Sequence, residues 1–308
     1  MTQLVDMKDE LQKFYIKNEY WLTPVLKALT AFLCFFMIRI RIGSDSMFGS
    51  LLIAIAAAAL CSFLPWTAVT VMSAVFVLGN AYGTSMELAL LAAFILLLMA
   101  LAQSAFRAGN AILIVLVPLL FYLHVPYVLP VIAGLSLGLM SIVPVSIGVM
   151  MYYFIEYISE NASELSVSTK DPMEMASQYA SIFQGYFQNR TMIVSIMAFA
   201  ICIVLVFILH QMVFSYNWGV AVIVGLLSIL VVSAIGSARL GATFSFGTAM
   251  IGVILSGVLA LLYALAFHGA DYKGTERLRF EDDDYFYFVK AIPKLKSGMR
   301  HKSNDRND

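Results

Sequence analysis

The chain has 308 residues, 61% of them hydrophobic and 12% charged, with a mean hydropathy of +0.87. An average soluble domain is about 45–50% apolar and about 25% charged, so this much apolar surface cannot be hidden in one soluble core, and lipid has to be the solvent for much of it. The 19 basic and 19 acidic residues cancel, so bulk charge points neither to nucleic acid nor to an acidic partner.

Residues 1–22 form a charged lead. Leu4, Met7, Leu11, Phe14 and Tyr15 share one helical face, while Lys8, Asp9, Glu10, Lys13 and Lys17 lie largely elsewhere. This pattern predicts an amphipathic helix on the cytoplasmic membrane surface, with Tyr20 and Trp21 at headgroup level, or simply a helix leading into the first span. The lead is longer than a signal n-region and no A-x-A site follows it, so the first span is expected to be an uncleaved anchor.

Apolar runs follow at 24–42, 48–64, 66–82, 86–104 and 111–125, separated by Gly43-Ser44-Asp45-Ser46, Pro65, Gly83-Thr84-Ser85 and the Arg107 to Asn110 stretch. Each is near or slightly under the roughly 20 residues that a span needs. The next stretch, 126–157, is too long for one span and too short for two full ones. A polar, acidic segment at 158–190 precedes three further spans at 191–212, 217–237 and 244–268, and the tail runs from 269 to 308. Cys34, Cys61 and Cys202 each lie in an apolar run without metal-ligand spacing, and read as small buried hydrophobes.

Lysine and arginine set the expected topology. Lys8, Lys13, Lys17 and Lys27 mark the start as cytoplasmic; Lys273, Arg277, Arg279, Lys290, Lys294, Lys296, Arg300, Lys302 and Arg306 do the same for the tail. Both ends inside requires an even number of crossings. Counting 126–157 as two short segments gives ten; counting it once gives nine and exports the tail. Arg39, Arg41 and Arg239 fit the ten-span model worst, because it leaves them on the outer side. The expected fold is therefore an all-α polytopic bundle over 23–268 of about ten spans, two of them short and Pro/Gly-broken.

In the outer loop, Asp171 and Pro172 suit a helix start. Met175, Tyr179, Ile182, Phe183 and Tyr186 then recur at helical spacing, predicting an amphipathic helix over 172–188 that packs on the bundle or the interface. In the tail, Arg277-Leu278-Arg279-Phe280 and Tyr285-Phe286-Tyr287-Phe288-Val289 flank an acidic turn, Glu281-Asp282-Asp283-Asp284. This predicts a small cytoplasmic hairpin, and its aromatic run suits a membrane face or a protein partner through 276–294.

The stretch with most to say about function is 118–157. Pro118, Pro126, Pro130 and Pro144 alternate with Gly134, Gly138 and Gly148. Proline removes amide donors and glycine loosens helices, so freed backbone groups at membrane depth have to face protein, water or a ligand. Broken helices of this kind build the midplane sites of many transporters. Pro130, Gly134, Ser136, Gly138, Pro144 and Gly148 are accordingly the candidate substrate-binding residues. Close helix packing through Gly134-x-x-x-Gly138 is the competing meaning. Gly134-Leu135-Ser136-Leu137-Gly138 also matches the hydrolase nucleophile-elbow pattern, but it lacks the strand, base and acid that the elbow needs.

No carboxylate falls mid-span; Glu87 and Glu156 lie near run ends, as do Asn80, Gln103 and Asn110. Nucleotide-binding glycine loops, H-E-x-x-H and cysteine–histidine clusters are all absent, so the sequence names no catalytic residue, metal, cofactor or nucleic-acid partner beyond the lipid bilayer itself.

Two segments, Tyr127-Val128-Leu129-Pro130 through Val143-Pro144-Val145-Ser146 to Tyr152-Tyr153, and Phe280-Glu281-Asp282-Asp283-Asp284-Tyr285 to Val289-Lys290-Ala291-Ile292-Pro293-Lys294, resemble a group of multi-pass membrane proteins of clostridial-type Gram-positive bacteria. The likeness runs nearly full length and is most specific in the tail. It implies a bacterial plasma membrane and an envelope-related setting; the group carries no assigned activity, so no residue roles transfer. The sequence thus leads to a transporter or permease-like component of unknown substrate, with a non-enzymatic scaffold of an envelope or secretion assembly as the alternative.

Overall fold

A computed structural model describes residues 2–42, 49–84, 86–104, 111–165, 181, 183–212, 216–268, 276–281 and 286–291. The bundle is built from helices α1 (Thr2–Ile42), α2 (Leu51–Phe63), α3 (Trp66–Thr84), α4 (Met86–Ser104), α5 (Ile112–Tyr122), α6 (Val128–Ser136), α7 (Ile142–Leu165), α8 (Arg190–Gln211), α9 (Asn217–Leu240) and α10 (Phe246–His268). Strands β1 (Glu276–Glu281) and β2 (Phe286–Ala291) then pair antiparallel, with Leu278 opposite Val289 and Phe280 opposite Tyr287. The acidic turn between them lies outside the described residues.

Among the described residues, six helices are long and apolar enough to cross a membrane: Lys17–Ile42, Trp66–Thr84, Leu139–Glu160, Phe183–Gln211, Asn217–Leu240 and Phe246–Leu265. Leu51–Phe63, Leu88–Leu101 and Ile112–Tyr122 are shorter apolar stretches. Many large apolar side chains face outward, Leu52, Phe63, Val71 and Ile254 among them, as befits a surface solvated by lipid.

Two expected boundaries move. The lead and the first span form one 41-residue helix that runs through Pro24, with no break at 22/23. The 126–157 stretch divides unequally, into the nine-residue α6 and the 24-residue α7, which continues past 157 into the segment expected as an outer loop. The reason lies in where the prolines fall. Pro130 and Pro144 occupy the first turns of α6 and α7, where amides have no intrahelical acceptor to lose. They begin helices rather than break them. The interruption comes from Gly138, at φ 74° and ψ −166°, a conformation essentially reserved to glycine. The amides of Leu137 and Gly138 both donate to the Ala133 carbonyl at 2.9 and 3.0 Å, and a 3-10 turn at Leu139–Ser141 leads into α7.

Buried side chains form two cores. One joins α1–α4 to α5 and α7 through residues such as Phe35, Phe76, Leu88, Ile95 and Ile155. The other joins α6, α8, α9 and α10 to the same two helices through Val131, Phe199, Ile203, Val222 and Ala264. Helices α5 and α7 serve both: Ile114, Val115 and Leu119, with Ile147, Met151 and Ile155, face the first core, whereas Leu113 and Val117, with Val145 and Val149, face the second.

Of the predicted outer helix, the described part, 183–187, is helical, and Tyr186 is wholly buried. Its hydroxyl donates to the Met150 carbonyl at 2.8 Å and its ring meets Phe154 edge-on. That portion is a packing element against α7. Met175, Tyr179 and Ile182 lie outside the described residues.

Candidate functional site

Helix α5 ends in a Schellman motif. His124 takes the left-handed conformation (φ 61°), its amide donates to the Phe121 carbonyl, and the Val125 amide donates to the Leu120 carbonyl. Buried Pro126 follows, where the chain cannot continue the helix. This turn carries His124 and Tyr127 to the wall of a cleft of about 420 Å³. The other walls come from the end of α1 at Arg41, from α7, from the start of α8 and the end of α9, and from the segment leading into α10.

The cleft holds an ion pair. Arg41 Nη1 donates to Glu156 Oε1 at 3.4 Å, and the Arg41 guanidinium lies over the Tyr122 ring, 4.9 Å from its centroid. Cation–π stacking of this kind adds to the attraction where water is scarce. Around the pair, Phe121 stacks on Tyr152 at 4.3 Å, Tyr122 meets Tyr152 edge-on at 5.2 Å, and Tyr127 meets Phe199 edge-on. Burial pushes the Tyr127 hydroxyl above its ordinary range.

A hydroxyl relay lines the opposite wall. Ser195 gives its proton to the Thr191 carbonyl at 2.8 Å, so Tyr153 is the donor in the 2.9 Å contact between the two hydroxyls. Asn189 caps α8 by accepting the Met192 amide, and Arg190 donates to the Leu240 carbonyl at 2.9 Å, fixing the start of α8 to the end of α9. Two buried atoms in this region, Glu156 Oε2 and Tyr122 Oη, have no hydrogen-bond partner among the described residues. A carboxylate oxygen and a hydroxyl left so are costly unless something polar reaches them.

A second cavity, of about 460 Å³, lies on the other side of the same helices. Cys34 and Ile38 of α1, Ser73 and Ala74 of α3, Met99 of α4, Val115 of α5 and Met151 of α7 contribute to its wall, which is overwhelmingly hydrocarbon. Tyr122 lines both cavities.

The six residues singled out in the sequence do not line either cavity. Pro130, Gly134, Pro144 and Gly148 are buried. A side chain at Gly134 would meet Val206 and the Ile203 carbonyl of α8; one at Gly148 would meet Val117 of α5. These glycines permit close helix approach, the competing meaning of the pattern. Ser136 shares a 2.7 Å hydrogen bond with the Tyr263 hydroxyl at the end of α6, in a helical setting with no strand before it. Gly138 sets the interruption itself.

The residues that do come together were visible only as oddities. Arg41 sat on the wrong side of the topology, and Glu156 stood near a run end amid Tyr152, Tyr153 and Tyr157. Ionisable groups in membrane spans usually face an interior and pair with one another, so an outlying cation and an acid in an aromatic run were the signal. Among the described residues, no three His, Cys, Asp or Glu side chains gather where they could hold a metal ion. No family model matches the chain, and no curated protein and no solved structure matches it.

Proposed function

We propose that the chain is a transporter or permease-like component of a membrane, and that its binding site is the polar cleft between the two cores. The observation that carries this reading is the Arg41–Glu156 pair held in an aromatic cleft where α5 and α7 join the two cores. Two cores meeting on shared helices beside a charged cavity suit alternating access, in which one bundle rocks against another around a fixed site. A cation and an acid side by side suit a ligand with both charges, which exchanges one internal pair for two external ones. The half-length α6 gives irregular backbone a place inside the protein.

In the same reading, the three shorter apolar helices and the half-length α6 count with the six long ones to give the ten-span topology, in a bacterial plasma membrane with both termini cytoplasmic. A reporter fused after Lys302 then scores as cytoplasmic, and an external signal removes the even count. The function itself is tested in proteoliposomes loaded with a panel of labelled zwitterions, both water-soluble and membrane-borne. Saturable movement of one class, lost in Arg41→Gln and Glu156→Gln proteins that still elute as folded monodisperse particles, supports the reading. No movement of any class, together with stoichiometric partners that are lost on deleting 276–294, replaces it with the scaffold.

A further inference from the structure

We infer that the ligand of this site is an amphiphile: a lipid with a phosphate- and amine-bearing headgroup in the polar cleft and a hydrocarbon chain in the apolar cavity. The inference rests on the transporter reading for its biological meaning, but its geometry stands on the two cavities.

The cavities are stacked along the same three helices. On α1, Ile38 lines the apolar one and Arg41, a turn later, lines the polar one. On α7, Ile155 and Glu156 are successive residues on the two walls. On α5, Tyr122 belongs to both. A molecule that passes Tyr122 therefore leaves a hydrocarbon lining and meets, within one side chain, a guanidinium and a carboxylate. The apolar cavity has the volume typical of ligand sites, about 300–1,000 Å³, and a lining that offers almost nothing for a polar solute to bond. Its rim at Val71 and Ala100 is exposed on the lipid-facing surface, so a chain enters from the bilayer without crossing water. The residues lining the polar cleft match a zwitterionic head: Arg41 for a phosphate, the Glu156 carboxylate for an ammonium, and the Tyr122 hydroxyl for either. The two unpartnered buried atoms belong to Tyr122, which lines both cavities, and to Glu156, whose chain neighbour Ile155 lines the apolar one.

The test uses the full chain in phosphatidylcholine nanodiscs with a trace of phosphatidylethanolamine carrying a diazirine in its acyl chain. After irradiation, labelled peptides are mapped by mass spectrometry. Expected is labelling concentrated on peptides containing Cys34–Ile38, Val115 or Met151. Arg41→Gln should lower its yield about tenfold, the size of one charge-assisted hydrogen bond. Ala74→Phe, which fills the cavity from α3, should lower it comparably; Ala100→Phe, at the rim, repeats the test if the first variant fails to elute as folded protein. Labelling spread evenly over outward-facing helices and indifferent to all three variants overturns the inference. So does full competition by soluble phosphoethanolamine with no effect of the cavity-filling variants; that result leaves the transporter reading intact with a small polar solute. Specific labelling in a protein that moves no solute keeps the amphiphile site and removes transport.

Discussion

The two cavities share walls and differ in almost everything else. One is lined mostly by aliphatic and small residues, among them Ser73, whose hydroxyl donates to the Val69 carbonyl of its own helix, and Thr70, whose hydroxyl donates to the Ala111 carbonyl just before α5. The other collects an ion pair, a stacked aromatic cluster and a hydroxyl relay that cross between helices. Helix α7 explains how both fit on one scaffold. Ile147, Met151 and Ile155 recur every four residues on one side, and Tyr152, Glu156 and Glu160 recur every four residues one position later. Two stripes about 100° apart face two solvents. The apolar cavity is held mainly by shape, the polar one by an ion pair and side-chain bonds between helices, and substitutions should separate them on that basis.

The largest effect should come from a residue that supports both. Gly148→Leu drives a side chain into Val117 and pries α7 from α5, at a cost of about 3 kcal/mol. Thermal unfolding in detergent should show the lowered midpoint, and a wild-type midpoint would mean that the α5–α7 contact does not support the two cavities. Next comes the polar cleft alone. Glu156→Ala leaves Arg41 without its acid. Because the two side chains are 40% and 26% exposed, the loss should be about 1.5 kcal/mol, below the 3–5 typical of a fully buried pair. A larger drop would show the cleft closed off by the surrounding membrane. Tyr153→Phe should cost about 1 kcal/mol, and adding Ser195→Ala to it should cost less than Ser195→Ala alone, since the bond they share is already gone and only the Ser195–Thr191 bond is left to lose; additive losses in that double-mutant cycle would break the relay. The smallest effect belongs to the apolar cavity: Ser73→Ala should stay within about 0.5 kcal/mol, its hydroxyl serving only its own helix.

Periodicity and run length make most of the bundle legible, because lipid-facing helices need continuous apolar stretches and Pro65 or Gly83 sit between them. What stays hidden is anything that depends on where a proline falls within a turn. Pro130 and Pro144 look disruptive in sequence, and only their place in a first turn makes them harmless. Gly134 and Gly148 sit where α6 meets α8 and α7 meets α5, the close packing that was the pattern's second meaning. The ion pair is hidden for another reason: Arg41 and Glu156 lie on α1 and α7, and no local pattern records a contact between helices so far apart in the chain. What could be read was each partner's discomfort where it stood, a cation outside and an acid among tyrosines.

Helix α2 has 13 residues and rises about 20 Å, well short of a hydrocarbon layer of about 30 Å. It stands at the periphery, with Leu52, Leu60 and Phe63 turned outward. In the proposed ten-span arrangement α2 crosses the bilayer, and local thinning, with headgroups descending beside the protein, is one way a membrane meets so short a helix. The chain should accordingly prefer thin membranes, and short-chain bilayers should hold it with the least strain.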